Sequence, residues 1–306
     1  MRANLTTVGP DPLRRVADLH PPLPPARPVA LPGRGVTFVH ESARLPGAPT
    51  LILLHGLGAT AALNWFTSFP ALDQRFHIVA PDHRGHGRGI RAGTPFTLQD
   101  CADDVVALAD ALQIDRFFAV GYSMGGPIAQ LIWRRHPHRL AGLVMCATGY
   151  RFRASPREHV MFAALPALEQ VHRALPDAVA RRVIAQISRS YLAETRYADW
   201  AQREVLLRDP KAVLQAAMEL GKYSARDWIG EIDVPTSVII HTRDQVVAPP
   251  RQLELASVVP AAASHLVSAD HFAVVRDPRR FLHALVGAIE QVAFTHSSTA
   301  GLRKAS

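Results

Sequence analysis

Gly121-Tyr122-Ser123-Met124-Gly125 places one serine between two glycines, where a strand-like run meets a helix-like one. Residues 116–120 are aromatic and β-branched and predict a buried strand, whereas residues 126–135 put apolar side chains on one face of a helix. A serine at the tip of a sharp strand-to-helix turn is held in a strained conformation that exposes its hydroxyl. We therefore predict that Ser123 is a nucleophile.

A serine hydroxyl is a poor nucleophile at neutral pH, so it needs a general base and an acid that orients the base. Residues 235–241 predict a core strand, and Asp244 follows it closely. Residues 264–268 predict the last strand, and His271 follows that one. This order along the chain favours Asp244 as the acid and His271 as the base. Asp270 is a rival acid, but a residue adjacent in sequence to a histidine usually points away from its ring.

Acyl transfer through a serine also needs two N–H groups aimed at the oxygen on which negative charge develops. The backbone N–H of Met124, directly after the nucleophile, is one candidate. The loop after the strand predicted at residues 50–54 reads His55-Gly56-Leu57-Gly58, and its small residues allow the backbone to curl toward the serine. We predict that the Leu57 N–H is the second donor and that His55 braces the loop.

Together these motifs resemble the α/β-hydrolase fold superfamily, in its Ser-His-Asp branch with a lid. The resemblance covers residues 34–292 and rests on His55-Gly56, the turn at residues 82–87, the glycine-flanked Ser123, Asp244 and His271. It implies a mostly parallel eight-stranded sheet flanked by helices, with an inserted helical lid. In this family the turn at residues 82–87 is structural, so its two histidines are not expected to bind metal. Asp270 stands where many relatives have glycine.

The resemblance divides the chain into four parts. Residues 34–149 and 210–294 form the α/β-hydrolase core, and residues 150–209 form the lid. The Pro-rich residues 1–33 predict an extended arm, and residues 295–306 predict a disordered tail. The side chains expected to bind the substrate are Trp65, Met161, Phe162, Trp200 and Val246.

The composition excludes several other classes of protein. With 306 residues, 48% hydrophobic and 20% charged, the chain is typical of a globular protein with a large core. The formal net charge of +8 suggests nucleic-acid binding, but the basic residues are almost all scattered arginines and form no known motif. Two cysteines make no disulfide framework. Without a signal peptide or a long apolar run, we expect a cytoplasmic protein with no stable membrane insertion.

The sequence therefore predicts a serine hydrolase that cleaves carboxylic esters with small to medium apolar acyl groups, through an acyl-enzyme. The expected partner is a small-molecule ester; no nucleic acid, metal or organic cofactor is expected, and the oligomeric state stays open. The same triad would serve an acyl thioesterase, a C–C bond hydrolase, an acyltransferase or a cofactor-free perhydrolase. A non-catalytic ligand receptor is the alternative from a different class.

Overall fold

An eight-stranded sheet organises the molecule. The computed structural model describes residues 19–91, 93–174 and 196–305, together with Arg182 and Gln186. Its strands are β1 Ala26–Leu31, β2 Gly35–Glu41, β3 Thr50–Leu54, β4 His77–Pro81, β5 Phe117–Tyr122, β6 Leu140–Cys146, β7 Thr236–His241 and β8 Ala263–Val267. The strand order is β1-β2-β4-β3-β5-β6-β7-β8. β2 pairs antiparallel with β1 and with β4, and the other five pairings between these strands are parallel. This topology confirms the predicted fold class.

Helices cover both faces of the sheet. They are α1 Ala61–Trp65, α2 Phe69–Leu72, α3 Leu98–Ala111, α4 Gly125–Arg135, α5 Pro156–Ala174, α6 Ala198–Leu206, α7 Pro210–Lys222, α8 Pro249–Val258, α9 Ala273–Arg276 and α10 Pro278–Ala305. Side-chain caps stabilise the first turns of α3 and α7. The Thr97 hydroxyl accepts the Asp100 N–H at the start of α3, and the Asp209 carboxylate accepts two N–H groups at the start of α7. Pro210 fits the first turn of α7, where no N–H is needed.

Both faces of the sheet are buried. Along β3, Ile52 and Leu54 pack into a cluster with α3 and α4, whereas Leu51 and Leu53 pack into a second cluster with α1 and α10. A parallel strand between two helical layers has this pattern because alternate side chains point to opposite faces. The strands appear in the sequence as continuous apolar runs because both faces of the sheet are buried.

The first strand lies in the segment that we predicted to be a Pro-rich arm. Residues 26–31 pair antiparallel with β2, so the arm prediction for residues 1–33 is corrected there; residues 1–18 lie outside the described part of the chain. Val29 and Leu31 are buried on alternate positions of β1. Pro28 is compatible with this strand because β1 is at the edge of the sheet, where one row of N–H groups needs no partner.

The C-terminal helix also differs from the prediction. α10 continues to Ala305, so the predicted disordered tail at residues 295–306 is helical except for Ser306, which lies outside the described residues. Its side chains at positions 281, 285, 288, 289 and 292 are buried against the sheet. After residue 292, most residues of the segment are small or polar.

The long connection between β6 and β7 contains α5, α6 and α7. Of these, α5 and α6 lie in the region predicted as the lid, residues 150–209, and α7 begins directly after it. Most residues between 175 and 195 fall outside the described part. The α6 side chains of Trp200, Ala201 and Val205 pack with Leu63 and Phe66. This cluster attaches α6 to the carboxyl end of the sheet near α1.

Among the described residues, no helix combines the length and the apolar character needed to cross a membrane.

Candidate active site

Ser123 lies at the turn between β5 and α4, in a conformation that non-glycine residues rarely adopt. Its φ angle is 51°. A Cβ at Gly121 would collide with the backbone of Gly125, and a Cβ at Gly125 would collide with the carbonyl of Leu54. The two glycines are therefore required by close backbone approach, which lets α4 start immediately after the serine. The Ser123 N–H donates to the Cys146 carbonyl at 2.9 Å, which anchors the turn to β6.

The structure brings Ser123, His271 and Asp244 together, although they are far apart in sequence. Nε2 of His271 lies 3.0 Å from Oγ of Ser123, and Nδ1 lies 2.7 Å from Oδ2 of Asp244. Asp244 is 1% exposed and His271 is 8% exposed, so water barely reaches the hydrogen bond between them. All three residues follow the carboxyl ends of parallel strands, where sites of open α/β sheets lie.

Asp244 is held by donors on all sides. Its Oδ1 accepts the N–H groups of Val246 and Val247 at 2.7 and 2.9 Å, and its Oδ2 accepts Nε2 of Gln252 at 3.0 Å as well as the imidazole. Gln252, in α8, is fully buried and also accepts the His241 N–H at 2.8 Å. Sequence reasoning missed Gln252. The available signal was a polar residue three positions before Leu255, on the helix face that packs on the sheet.

The loop that carries His271 is fixed through its carbonyl groups. The Tyr122 hydroxyl donates to the His271 carbonyl at 2.6 Å, and Nδ1 of His241 donates to the Asp270 carbonyl at 2.9 Å. Both side chains are buried, and burial lowers the pKa of His241 to about 4, so this histidine stays neutral. Tyr122 and His241 therefore attach the loop to β5 and β7, the strands that precede the serine and the acid.

The rival acid Asp270 points away from the His271 ring. Its Oδ1 accepts the Phe272 N–H at 2.8 Å, and its Oδ2 pairs with Arg276 at 3.1 Å. The Asp270 carboxylate thus stabilises the start of α9 through the Phe272 N–H and Arg276.

The loop after β3 lies against the serine. A Cβ at Gly56 would lie 3.3 Å from Cβ of Ser123, so only glycine allows this approach without a shift. Oδ1 of Asn64 accepts the Gly56 N–H at 3.1 Å. His55 is fully buried; its Nδ1 donates to the Gly56 carbonyl at 2.8 Å, and its Nε2 accepts the His83 N–H at 2.9 Å. Met124 directly follows the serine at the start of α4, where the helix leaves N–H groups without helical partners.

The turn at residues 82–87 supports this loop from behind. The buried Asp82 carboxylate accepts the N–H groups of Ala61 and Arg88 at 2.7 and 2.8 Å, and burial raises its pKa to about 6. Arg84 forms two hydrogen bonds to Asp104, at 2.7 and 2.8 Å. Across the described residues, no group of three His, Cys, Asp or Glu side chains is arranged to hold a metal ion.

A cavity of about 280 Å³ opens beside Ser123. The described residues that line it include the apolar side chains of Leu57, Leu63, Val205, Phe272, Val274 and Val275. Asn64, Tyr122, Arg208 and His271 add polar groups. The site thus combines an exposed hydroxyl, a histidine–carboxylate pair and a largely apolar cavity.

Comparisons with known proteins agree with this geometry. The α/β hydrolase fold family matches residues 49–278. The chain belongs to this family. A protein of Rhizobium rhizogenes, a carbamate hydrolase by name (RutD), is 30% identical over 244 residues, which cover 77% of this chain and 90% of the relative. Its namesake in Caulobacter segnis is 34% identical over 113 residues, only 36% of this chain and 42% of that protein's length. The crystal structure of the enol-lactonase from Burkholderia xenovorans LB400 has a TM-score of 0.69 at 26% identity, and the match covers 86% of this chain and all of that one.

Within this α/β hydrolase, none of the five side chains expected to bind the substrate is among the described residues that line this cavity, and their contact with a substrate stays a prediction. Trp65 is fully buried and packs edge-on against Tyr122, 6.0 Å between ring centroids. Phe162 lies against Gly221, and Trp200 packs on Phe66. Met161 and Val246 are more than half exposed and are not among the described lining residues. Leu57, one of the two expected oxyanion donors, does line the cavity.

The three aromatic residues among these five, Trp65, Phe162 and Trp200, are buried. Large aromatic side chains in a helix or before a loop are more often core residues than ligand contacts, because their burial stabilises the fold strongly. The cavity is instead lined by smaller residues from α1, α6 and α9, which carry no distinctive motif in the sequence.

Proposed function

We propose that this α/β hydrolase is a serine hydrolase that cleaves carboxylic esters with small to medium apolar acyl groups through a covalent acyl-enzyme. The observation that carries the proposal is the chain of two short contacts from Ser123 through His271 to the buried Asp244. The strained position of Ser123 at the tip of the turn supports the same role, because it presents the hydroxyl to the cavity.

In the first half-reaction, Oγ of Ser123 attacks the ester carbonyl carbon while Nε2 of His271 takes the hydroxyl proton. Asp244 stabilises the imidazolium and keeps the proton of neutral His271 on Nδ1. Collapse of the tetrahedral intermediate breaks the bond to the alcohol oxygen, which receives the proton from Nε2. In the second half-reaction, water attacks the acyl-enzyme by the same path and releases the acid.

We assign the oxyanion hole to the backbone N–H groups of Leu57 and Met124. The close approach of Gly56 to Ser123 supports this assignment, because it brings the Leu57 peptide to the side of the serine. The start of α4 at Gly125 supports the Met124 donor, since the N-terminal end of a helix favours negative charge.

The apolar lining of the cavity supports an apolar acyl or alcohol group. Each buried CH₂ contributes about 0.8 kcal/mol, so kcat/KM is expected to rise from acetyl to medium acyl chains before the cavity is full. The names of the relatives include a lactonase, which acts on cyclic esters by definition, and a carbamate hydrolase. A panel of esters, lactones, carbamates, thioesters and vinylogous diketones ranks these substrate classes directly.

A fluorophosphonate probe tests the nucleophile. One equivalent is expected to label Ser123, identified by peptide mass spectrometry, and Ser123→Ala is expected to lose both labelling and ester hydrolysis while its circular dichroism spectrum is unchanged. Labelling of another serine, for example Ser268, would show that the assignment of the nucleophile is wrong.

A further inference from the structure

The cavity beside Ser123 is apolar except for a few side chains, and Arg208 is the only one of its described lining residues with a permanent charge. Arg208 lies between the end of α6 and the start of α7. Its Nη1 is 3.3 Å from the Gly58 carbonyl, so the guanidinium rests on the same loop that contacts Ser123. The two residues from Gly56 to Gly58 span at most about 7 Å, which brings the guanidinium close to the reacting atoms.

This guanidinium has no carboxylate partner within 4 Å among the residues that the structure describes. The acids near it in sequence are occupied elsewhere. Glu204 accepts from Arg88 at 3.1 Å and from the Thr60 hydroxyl at 2.8 Å, whereas Asp209 accepts the first N–H groups of α7. Burial lowers the pKa of Arg208, as expected for a partly desolvated cation without an opposing charge.

Asn64 is another polar residue of the cavity lining. Asn64 is 6% exposed, and its Oδ1 is fixed by the Gly56 N–H. Its Nδ2 is buried and has no hydrogen-bond partner within the described part of the chain. This amide group is closed off from the cavity, so Asn64 supports the Gly56 loop and Arg208 is the charged group that a ligand can reach.

We infer that the substrate of this site carries a carboxylate, which binds to Arg208. The inference rests on the proposed ester hydrolysis and narrows its substrates to monoanionic esters with an apolar body. A planar guanidinium matches a carboxylate with two parallel hydrogen bonds, and the apolar walls strengthen that contact because water is largely displaced.

Two matched pairs of substrates test the inference. In the first pair, 4-acetoxybenzoate carries a carboxylate on the alcohol side of the scissile ester, and its methyl ester carries a neutral group there. In the second pair, monomethyl adipate carries a carboxylate on the acyl side, and dimethyl adipate carries a neutral group there. The wild type is expected to prefer the carboxylate member of at least one pair. Arg208→Gln is expected to lower kcat/KM for that member on the order of 10–100-fold, the size of a hydrogen-bonded charge contact, and to change the neutral member by less than about 3-fold.

Arg203→Gln is the matched control. Arg203 is exposed on α6, so this variant changes the net charge equally without touching the cavity, and it is expected to keep the wild-type preference. Arg208→Lys keeps the charge without the planar fork and is expected to fall between the wild type and Arg208→Gln.

Three outcomes separate the explanations. An equal loss on both members of each pair would show that Arg208 only supports the Gly58 loop, and the inference would be overturned. Wild-type enzyme that hydrolyses neutral esters through Ser123 with no preference for carboxylates would also overturn it, while the proposed function stands. If no ester is hydrolysed and Ser123 is not labelled, the proposed function itself fails.

Discussion

The Asp244 carboxylate combines the largest number of polar contacts at this site with nearly complete burial. Four donors converge on it, and three of them belong to neutral groups that stay in place when the imidazole moves a proton. Such an arrangement keeps the carboxylate oriented toward Nδ1 of His271 throughout the reaction. The rival Asp270 does not orient the imidazole, because its carboxylate binds the Phe272 N–H and Arg276 instead.

Replacing Asp244 by asparagine removes this charge and turns an acceptor into a possible donor. We expect Asp244→Asn to fold normally and to lower kcat by roughly 10³–10⁴-fold, because the imidazolium loses its partner and the wrong tautomer is favoured. Asp270→Asn is expected to change kcat by only a few fold. Steady-state kinetics on one activated ester decides between the two acids, and a large loss in Asp270→Asn alone would reverse the assignment.

Gln252 provides a residue-scale test of the support around the acid. Gln252→Met keeps the volume but removes a donor to Asp244 and leaves the His241 N–H without its acceptor. We expect a loss of about 1–3 kcal/mol in unfolding free energy and roughly a 10-fold lower kcat. Gln130→Met is the matched control: Gln130 is equally buried and bonds to Gly149 and Tyr223, so stability is expected to fall while kcat does not. Equal kcat for both variants would assign Gln252 a purely structural role.

At the scale of secondary structure, the parallel strands and the turns after them were predictable from the sequence. Buried parallel strands appear as continuous apolar runs, and the residues after them converge at one edge of the sheet, so chain order alone indicated which serine, acid and histidine would meet. The edge strand β1 was not predictable, because three prolines at positions 24, 25 and 28 favour an extended arm over a paired strand. The cavity lining was missed for a different reason: it depends on how α6 and α9 pack on α1, which no local pattern encodes.

The pairing of β1 predicts a stability effect in a segment that resembles a linker. Leu31 is 2% exposed, so Leu31→Ala is expected to lower the unfolding free energy by about 2–4 kcal/mol, through lost burial and a cavity. Val36→Ala on the neighbouring strand β2 removes a side chain that is 54% exposed and is expected to cost less than about 1 kcal/mol. Urea unfolding followed by circular dichroism measures both, and similar small effects would contradict the packing of β1 on the core.

Across the whole molecule, burial holds several histidines neutral. It lowers the pKa of His83 to about 3 and of His86 to about 4, and it also lowers the pKa of His241 to about 4. The unfolded chain binds a proton at each of these residues below about pH 6.5, whereas the native state does not until near pH 4 or lower. Asp82 acts in the opposite direction: its raised pKa of about 6 lets the native state hold a proton that the unfolded chain lacks between about pH 6 and 4.

The balance of these groups predicts how stability depends on pH. Since the unfolded state binds more protons, the free energy of unfolding is expected to fall as pH decreases from about 6.5 to 4, at about 1.4 kcal/mol per pH unit for each net proton. His86→Leu removes one such residue and is expected to reduce this slope by about one proton, whatever its effect on stability at pH 8. His138→Leu makes the same substitution at an exposed position and is the control for the loss of a histidine side chain. Urea unfolding at half-unit pH intervals measures all three proteins, and a slope for His86→Leu equal to that of the wild type would show that His86 titrates in the native state as it does in the unfolded chain.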